Sequence, residues 1–451
     1  MLQFLPSRAS ISARTVLALT LTVSSIPANA QLRLPDVNIG LPSRLPDLSG
    51  DSLRRDGLLG QPRRLLAHTR IGELPRLRQI EQLIRRHPAV IDIDPSGAPI
   101  VRRELIATSP SAAALAAARA AGLRVLREQH LEGLDQTVIA LAVPDGLDMA
   151  LVLANLRALD PDGGYDFNHV YQGGGAAQEP RAPVARQTSG NAPASGLRIG
   201  LRIGLIDGGV DSAHPVFAAT RVQRWGCNGA VHPNAHGNSV AALMAGSSAH
   251  FSGVLPRADL YAADIYCASP SGGAADAIAG ALNWMAVHQV PVVNLSIVGP
   301  HNRTLERAVA ALLRRGHLLV AAVGNDGPAA PPLYPASYPG VIGVSAVDKR
   351  GRVLPEAARG AQVKFAAPGD DMVSAALGTP PYRRVRGTSF AAPIVAALLA
   401  EHLAAPDPAA ASAAVANLAG TAGSSTPNFE TGHGVVGTAY RTDPSELRRV
   451  D

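Results

Sequence analysis

Four polar residues of this 451-residue chain stand where a side chain can reach into a cleft. Ser389 lies in Gly387-Thr388-Ser389-Phe390-Ala391-Ala392-Pro393, a small-residue turn running into the apolar stretch Ile394–Ala400, which reads as a buried helix. A Ser at a helix mouth is either an N-cap or a nucleophile held where helix-start N–H groups face a developing negative charge. Asp207 ends the apolar strand Ile203–Ile206 before Gly208-Gly209. It is either a turn former or a carboxylate at the carboxyl edge of a parallel strand, where α/β proteins place their sites. His236 opens a helix of small residues through Ala245. The helix dipole gives an imidazolium no reason to sit there, which weakens a purely structural reading against a chemical one. Asn325 follows the strand Leu319–Val323 in Gly324-Asn325-Asp326-Gly327. Its amide forms an Asx turn or donates a hydrogen bond into a site. An acid, a base, an amide donor and a hydroxyl together are the parts of nucleophilic catalysis.

The surrounding elements must bring these four together. From residue 197 short apolar strands alternate with helices: Ile203–Ile206, His236–Ala245, Asp259–Asp264, Ala274–His288, Val290–Leu295, Thr304–Arg314, Leu318–Val323 and Val341–Val347. That alternation predicts α/β architecture, a mostly parallel sheet with helices on both faces, over residues 197–440. Just inside this region Leu197-Arg198-Ile199-Gly200 repeats as Leu201-Arg202-Ile203-Gly204, a local duplication. Residues 99–172 predict a smaller α+β unit. Ile100–Ala107 is a strand, Ser109 caps an Ala-rich helix that runs to Ala121 with Pro110 in its first position, and Gly122 stops it. Leu123–His130 and Thr137–Val143 are strands, Asp148–Leu159 a helix and Tyr165–Gln172 a last strand. The order β-α-β-β-α-β is that of a ferredoxin-like domain. Residues 173–196, beginning Gly173-Gly174-Gly175, read as an exposed linker, and 441–451 as a polar tail.

Composition narrows the class. Hydrophobic residues make up 47% and charged residues 17%, which suits a large core and two or three domains. The net charge of +6 comes from arginine, not from a basic patch interleaved with aromatics, so nucleic acid is not an expected partner. Arg8 and Arg14, the apolar run Thr15–Val23 and Ala28-Asn29-Ala30 have the pattern of a signal peptide over residues 1–30. No second candidate span follows, so the expectation is an exported monomer, periplasmic or secreted, without a membrane anchor. Residues 31–98 form a Leu-, Arg- and Pro-rich pro-segment with one amphipathic helix, Leu74 to Arg86. The only cysteines, Cys227 and Cys267, are either a bridge, natural in an oxidising compartment, or two buried thiols.

In the order Asp207, His236, Asn325, Ser389, the segments Asp207-Gly208-Gly209-Val210-Asp211, His236-Gly237-Asn238-Ser239-Val240-Ala241, Val293-Asn294-Leu295-Ser296, Ala322-Val323-Gly324-Asn325-Asp326-Gly327 and Gly387–Pro393 resemble the subtilisin family of serine endopeptidases. The resemblance implies Ser389 as nucleophile, His236 as general base and acid, Asp207 as its orienting carboxylate, and Asn325 with the Ser389 N–H as oxyanion donors. It implies that Leu295, Ser296, Ile297, Val298 and Gly299 pair with an extended peptide substrate. It also makes the ferredoxin-like unit an inhibitor-type propeptide that assists folding, then blocks the cleft until self-cleavage. Three departures stand out. Asn238-Ser239 replaces the usual Thr-His, Val298 stands where many relatives carry Gly, and Val216-Phe217 follows His214-Pro215 where the family often supplies an Asp for calcium. No cofactor is required for the chemistry, and that calcium site is not carried over. The alternative, motivated by Asn238-Ser239 and Val298, is a silent scaffold of the same fold that binds peptides. A different hydrolase or a dinucleotide binder fits less well: position 391 is Ala, so Gly-x-Ser-x-Gly is absent, and the turn at 208–209 lacks Gly-x-Gly-x-x-Gly.

Overall fold

The structure, a computed structural model, describes residues 75–173, 176–177, 200–248 and 251–442. The signal-like segment, most of 31–98, most of the 173–196 linker and most of the tail lie outside the described residues. The first elements build a small α+β layer: α1 (Pro75–Arg86), β1 (Ile91–Ile93), β2 (Pro99–Thr108), α2 (Ala112–Ala120), β3 (Arg124–Leu131), β4 (Gln136–Ala142), α3 (Met149–Leu159) and β5 (Gly164–His169). All pairings are antiparallel, in the order β5-β2-β4-β3, with β1 against the start of β2. This is the ferredoxin-like order, reached because each helix returns the chain to a strand one place removed.

Strand alternation explains why both faces of this sheet are apolar. Leu105, Ala107, Ile139 and Leu141 pack with Ala114 and Ala118 of α2 and Leu153 and Leu156 of α3. The intervening Ile106, Val138 and Ala140 face the other way and join a second core described below. The cap of α2 differs from expectation. Ser109 has a positive φ and its N–H bonds to Thr137 O, so it belongs to the strand region; Ser111 caps instead, accepting from the Ala114 N–H at 3.2 Å. The last strand is also shorter than expected. It ends at His169, and Gln172–Gly173 forms β6, which leaves this sheet for another partner.

The larger layer contains β7 (Ala176–Ala177), β8 (Arg202–Asp207), β9 (Val222–Trp225), α4 (Ala235–Ala245), the short pair β10 (Ser247–Ser248) and β11 (Phe251–Ser252), β12 (Asp259–Asp264), α5 (Ala275–Val287), β13 (Val292–Leu295), β14 (Ile297–Val298), α6 (Arg303–Arg314), β15 (Leu318–Ala322), β16 (Ile342–Val347), β17 (Val363–Pro368), β18 (Met372–Ala375), β19 (Tyr382–Arg386), α7 (Thr388–Ala400), α8 (Pro408–Thr421), β20 (Gly423–Asn428) and β21 (Gly432–Gly434). Seven strands run parallel in the order β17-β16-β15-β13-β8-β12-β9. Period two divides them: Ile203, Leu205, Val292, Val320 and Ala322 face α4 and α7. Ile206, Val293, Leu295, Leu319 and Ala321 face α5 and α6, where Ile106 and Val138 of the small sheet also pack. The chain leaves β8 toward β9 and β12 on one side and returns to β13 on the other. Strand order therefore reverses beside β8, and the carboxyl ends there open a crevice.

Candidate active site

Asp207 is the last residue of β8, with its side chain 1% exposed. Its Oδ1 accepts from the Gly208 N–H at 2.6 Å, the turn role. Both carboxylate oxygens also lie 2.9 Å from His236 Nδ1. The two readings of this Asp are therefore compatible.

His236 sits in the first turn of α4, which Asn234 caps by accepting from the His236 and Gly237 N–H groups. The helix can dock on the Asp207 turn because residue 237 is Gly; a Cβ there would fall 2.1 Å from Gly208 O. With the carboxylate at Nδ1, the proton belongs on Nδ1 and Nε2 is left as the basic lone pair. Nε2 is buried and has no hydrogen-bond partner among the described residues. The unusual Asn238 and Ser239 are fully satisfied: Asn238 Nδ2 donates to Ala376 O, and Ser239 Oγ to Ala375 O at 2.7 Å. They tie α4 to the end of β18 and the residue after it.

Ser389 is the second residue of α7. Gly387, at φ 127°, is the residue before the helix, so Ser389 is not the N-cap. Its Oγ is 3.4 Å from the Ser296 carbonyl, and the Ser296 hydroxyl donates to Ser389 O at 2.8 Å, itself accepting from Asn294 Nδ2. The next side chain, Phe390, lies against the His236 ring with centroids 5.3 Å apart. The Ser389 N–H belongs to the first turn of α7, whose N–H groups have no helical acceptor.

Asn325 follows β15. Its Oδ1 accepts from the Thr388 N–H at 3.1 Å, while Thr388 Oγ1 accepts from the Gly324 N–H at 3.2 Å. Asn325 Nδ2 lies beside the nucleophile turn, where a Cβ on Gly387 would stand 3.0 Å from it. Thr388 thus ties the Asn325 turn to the start of α7, a positioning role that its place next to Ser389 does not by itself reveal.

The substrate-strand candidates divide by face. Leu295 and Ile297 send their side chains into the core under α5 and α6 and are completely buried. Val298 is 3% exposed, and Gly299 lies under the Tyr171 ring. The backbone of β14 pairs antiparallel with the chain's own β6, Val298 with Gln172 and Ile297 with Gly173. Tyr171 is buried, and its hydroxyl donates to Pro300 O at 2.6 Å. On the far side of Ser389, Ala176 and Ala177 pair with Arg386 and Val385. The start of the expected free linker is thus held on both flanks of the site, because two unpaired strand edges, β14 and β19, are there to accept it. Nearby, Arg386 is fixed by Glu356 and Asp370.

Cys227 and Cys267 form a disulfide, Cα to Cα 5.1 Å, joining the ends of β9 and β12. No helix of the described residues is long and apolar enough to cross a membrane.

The family model described as "Subtilase family" matches residues 198–434. The chain is 39% identical over 166 residues to Subtilisin Savinase of Lederbergia lenta, covering 36% of this chain and 61% of that protein. It is 33% identical over 170 residues to Minor extracellular protease Epr of Bacillus subtilis (strain 168), covering 37% of this chain and 26% of that one. The match therefore spans less than two thirds of either relative. The crystal structure of fervidolysin from Fervidobacterium pennivorans, described as a keratinolytic enzyme related to subtilisin, aligns with a TM-score of 0.61 at 19% identity, over 78% of this chain and 61% of that one. That is a likeness of fold.

Proposed function

Because this chain belongs to the subtilase family, we propose that it is an exported serine endopeptidase, made as a precursor that cuts itself. One observation carries the reading: His236 is clamped through Nδ1 by Asp207 while Nε2 stays unpaired beside the helix start that bears Ser389.

The Ser389 hydroxyl turns from the Ser296 carbonyl toward Nε2 and gives up its proton as Oγ attacks the substrate carbonyl carbon. The carbonyl oxygen becomes an oxyanion and accepts from Asn325 Nδ2 and the Ser389 N–H. As the intermediate collapses, His236 returns the proton to the leaving amine, and an acyl-enzyme remains. Water then repeats the sequence through the same imidazole and releases the acid. Asp207 stays ionised throughout and stabilises the imidazolium.

The small α+β unit serves as the chain's own inhibitor, a role supported by β6 and β7 pairing on either side of the site. Self-cleavage falls between Gly173 and Ala176, the stretch that joins those strands. The leader at residues 1–30 directs export.

N-terminal sequencing of the exported product beside its Ser389→Ala variant tests the scheme. The wild type yields a mature chain beginning between Gly174 and Ala176, and Ser389→Ala accumulates uncut. Maturation of Ser389→Ala at the wild-type rate refutes self-processing. Failure of the mature protein to react with a fluorophosphonate through Ser389 refutes the enzyme and leaves a silent peptide-binding scaffold.

A further inference from the structure

The edge of β14 beside His236 is occupied by the chain's own β6. Gly173 pairs with Ile297, and a Cβ at Gly173 would lie 3.4–3.5 Å from Nδ1, Cε1 and Cγ of His236. A peptide bound in this register therefore presents that residue to the imidazole. Side chains alternate along an extended strand. The following residue, which supplies the carbonyl attacked by Ser389, sends its side chain away from His236. It is directed toward the wall between β14 and the Val323-Gly324 segment after β15.

That wall has little room. Gly324 has no side chain and a φ of 101°, yet a Cβ built there would meet Leu333 Cδ1 at 2.6 Å and Val298 Cγ1 at 3.7 Å. Two branched side chains thus converge on the face that the glycine leaves open. Leu333 is 5% exposed and Val298 3%. Leu333 is also held in place: its neighbour Tyr334 exchanges both backbone hydrogen bonds with Gly299, at 2.9 and 3.0 Å. The Tyr334 ring packs on Tyr338 and His301, with centroids 4.5 and 5.1 Å apart. The segment cannot slide outward without breaking that pair.

We propose that Leu333, with Val298, plugs the pocket for the residue on the acyl side of the scissile bond and restricts this peptidase to glycine and alanine there. The proposal rests on the peptidase reading above and names its substrate class. The chain's own sequence agrees independently. The residues across the site, Gly173-Gly174-Gly175-Ala176-Ala177, carry no side chain larger than a methyl.

The test uses mature enzyme and internally quenched peptides built on the chain's own segment, Tyr-Gln-Gly-X-Gly-Ala-Ala, with X as Gly, Ala, Leu or Phe. Discrimination by one methylene group in a pocket is worth about 10- to 200-fold in kcat/KM, and Leu or Phe exceeds Ala by several carbons. Wild-type kcat/KM for X = Ala should exceed that for Leu and Phe by about 100-fold or more. Leu333→Ala should raise Leu and Phe at least about 10-fold relative to Ala, and Val298→Ala should do so to a smaller extent. Fluorophosphonate labelling shows which variants are folded and active. Equal wild-type cleavage after Ala and Phe overturns the proposal. So does an unchanged profile in a variant that labels normally. If neither variant folds, the wild-type profile alone decides. A wild-type enzyme that does not label refutes the peptidase reading itself, whereas one that labels and prefers Phe refutes only the plug.

Discussion

Replacing Arg127 by Met should loosen the small domain from the large one. Arg127 lies on β3 and reaches Asp276, in the first turn of α5, at 2.7 Å. It also bonds both oxygens of Glu104, at 3.2 and 2.6 Å. Asn168 Nδ2 completes the cluster, donating to Glu104 at 3.0 Å and Asp276 at 3.1 Å. Burial opposes the guanidinium charge, but the two carboxylates outweigh it and hold the Arg127 pKa above its usual value. The side chains of Glu104 and Asp276 are 13% and 4% exposed, whereas Arg127 is 39% exposed. Breaking a fully buried pair costs about 3–5 kcal/mol and an exposed one about 0.2–1. A cation about two-fifths exposed between a buried and a half-buried anion falls between, at about 2–3 kcal/mol, since Met leaves two like charges facing each other. At 1.4 kcal/mol per tenfold, opening of the interface should become about 30- to 150-fold more frequent. The assay is amide hydrogen exchange on the full-length Ser389→Ala chain, read at two N–H groups that cross the interface. Asp276 N–H faces Asn168 Oδ1 at 3.5 Å, and Arg303 N–H donates to Asp166 Oδ2 at 2.9 Å. Both should exchange faster by that factor in Arg127→Met, while amides in the core of β13 stay unchanged. A change below about threefold at both sites refutes the reasoning and means that desolvation cancels the pairing.

Asn325→Ala should lower kcat about 10²- to 10³-fold with little change in KM, because it removes a donor used only when the oxyanion forms. That range is the one measured for such a donor in a subtilisin; a parallel rise in KM would count against the role. His317 is buried, with its pKa lowered by burial, which the Val290 carbonyl partly offsets and Arg315 reinforces. The unfolded chain takes up this proton first, so stability falls as pH drops below about 6.5. In urea titrations of the Ser389→Ala chain, His317→Asn should lose less midpoint between pH 7 and 5 than its parent; equal losses refute the assignment. Replacing Cys227 and Cys267 together by Ser opens a 40-residue loop and should reduce stability by up to about 4 kcal/mol, read as a lower urea midpoint.

Much of the fold is legible because the buried strands are uninterrupted apolar runs: Ile203–Ile206, Val290–Leu295 and Leu318–Val323 appear within one or two residues of β8, β13 and β15. Strands outside that rule escape. Edge strand β9 reads Val-Gln-Arg-Trp, β17 carries Lys364, and β19 is Tyr-Arg-Arg-Val-Arg. Their pairing comes from neighbours and not from periodicity. The cap of α2 moved from Ser109 to Ser111 for a similar reason, since the Thr137 carbonyl claims the Ser109 N–H. In the site, Asp207 at the end of β8 meets His236 at the start of α4, and Asn325 after β15 meets Thr388 at the start of α7, because each stands at the end of an element whose direction the sheet fixes. Leu295 was grouped with the substrate strand, but alternation sends its side chain into the core. Leu333 could not be read at all. Its position beside Gly324 depends on the backbone pair between Tyr334 and Gly299, 35 residues earlier.

The contact between the small sheet and the large layer is unequal in a way that bears on the self-cleavage proposed above. The small sheet contributes large apolar side chains, Ile106, Leu131, Leu134 and Val138. The helix it meets presents small ones: Gly133 packs against Ala286, and Gly280 faces Gln129 and Trp225. The Gly133 N–H donates to Asn283, and Asp166 and Asn168 accept from the first turns of α6 and α5. If the connection between β6 and β7 is cut and the small domain departs, water can replace those polar partners at helix ends. The glycine and alanine positions of α5 at that contact, Gly280 and Ala286, lose little on meeting water. The departing layer instead exposes Ile106, Leu131, Leu134 and Val138, the apolar face that α5 and α6 had covered. On the propeptide reading proposed above, it would cover α5 and α6 during assembly of a parallel sheet whose contacts are distant in sequence and slow to form. On the self-cleavage proposed above, the face that holds the small layer against the large one while the chain is whole is therefore the face that its release would expose.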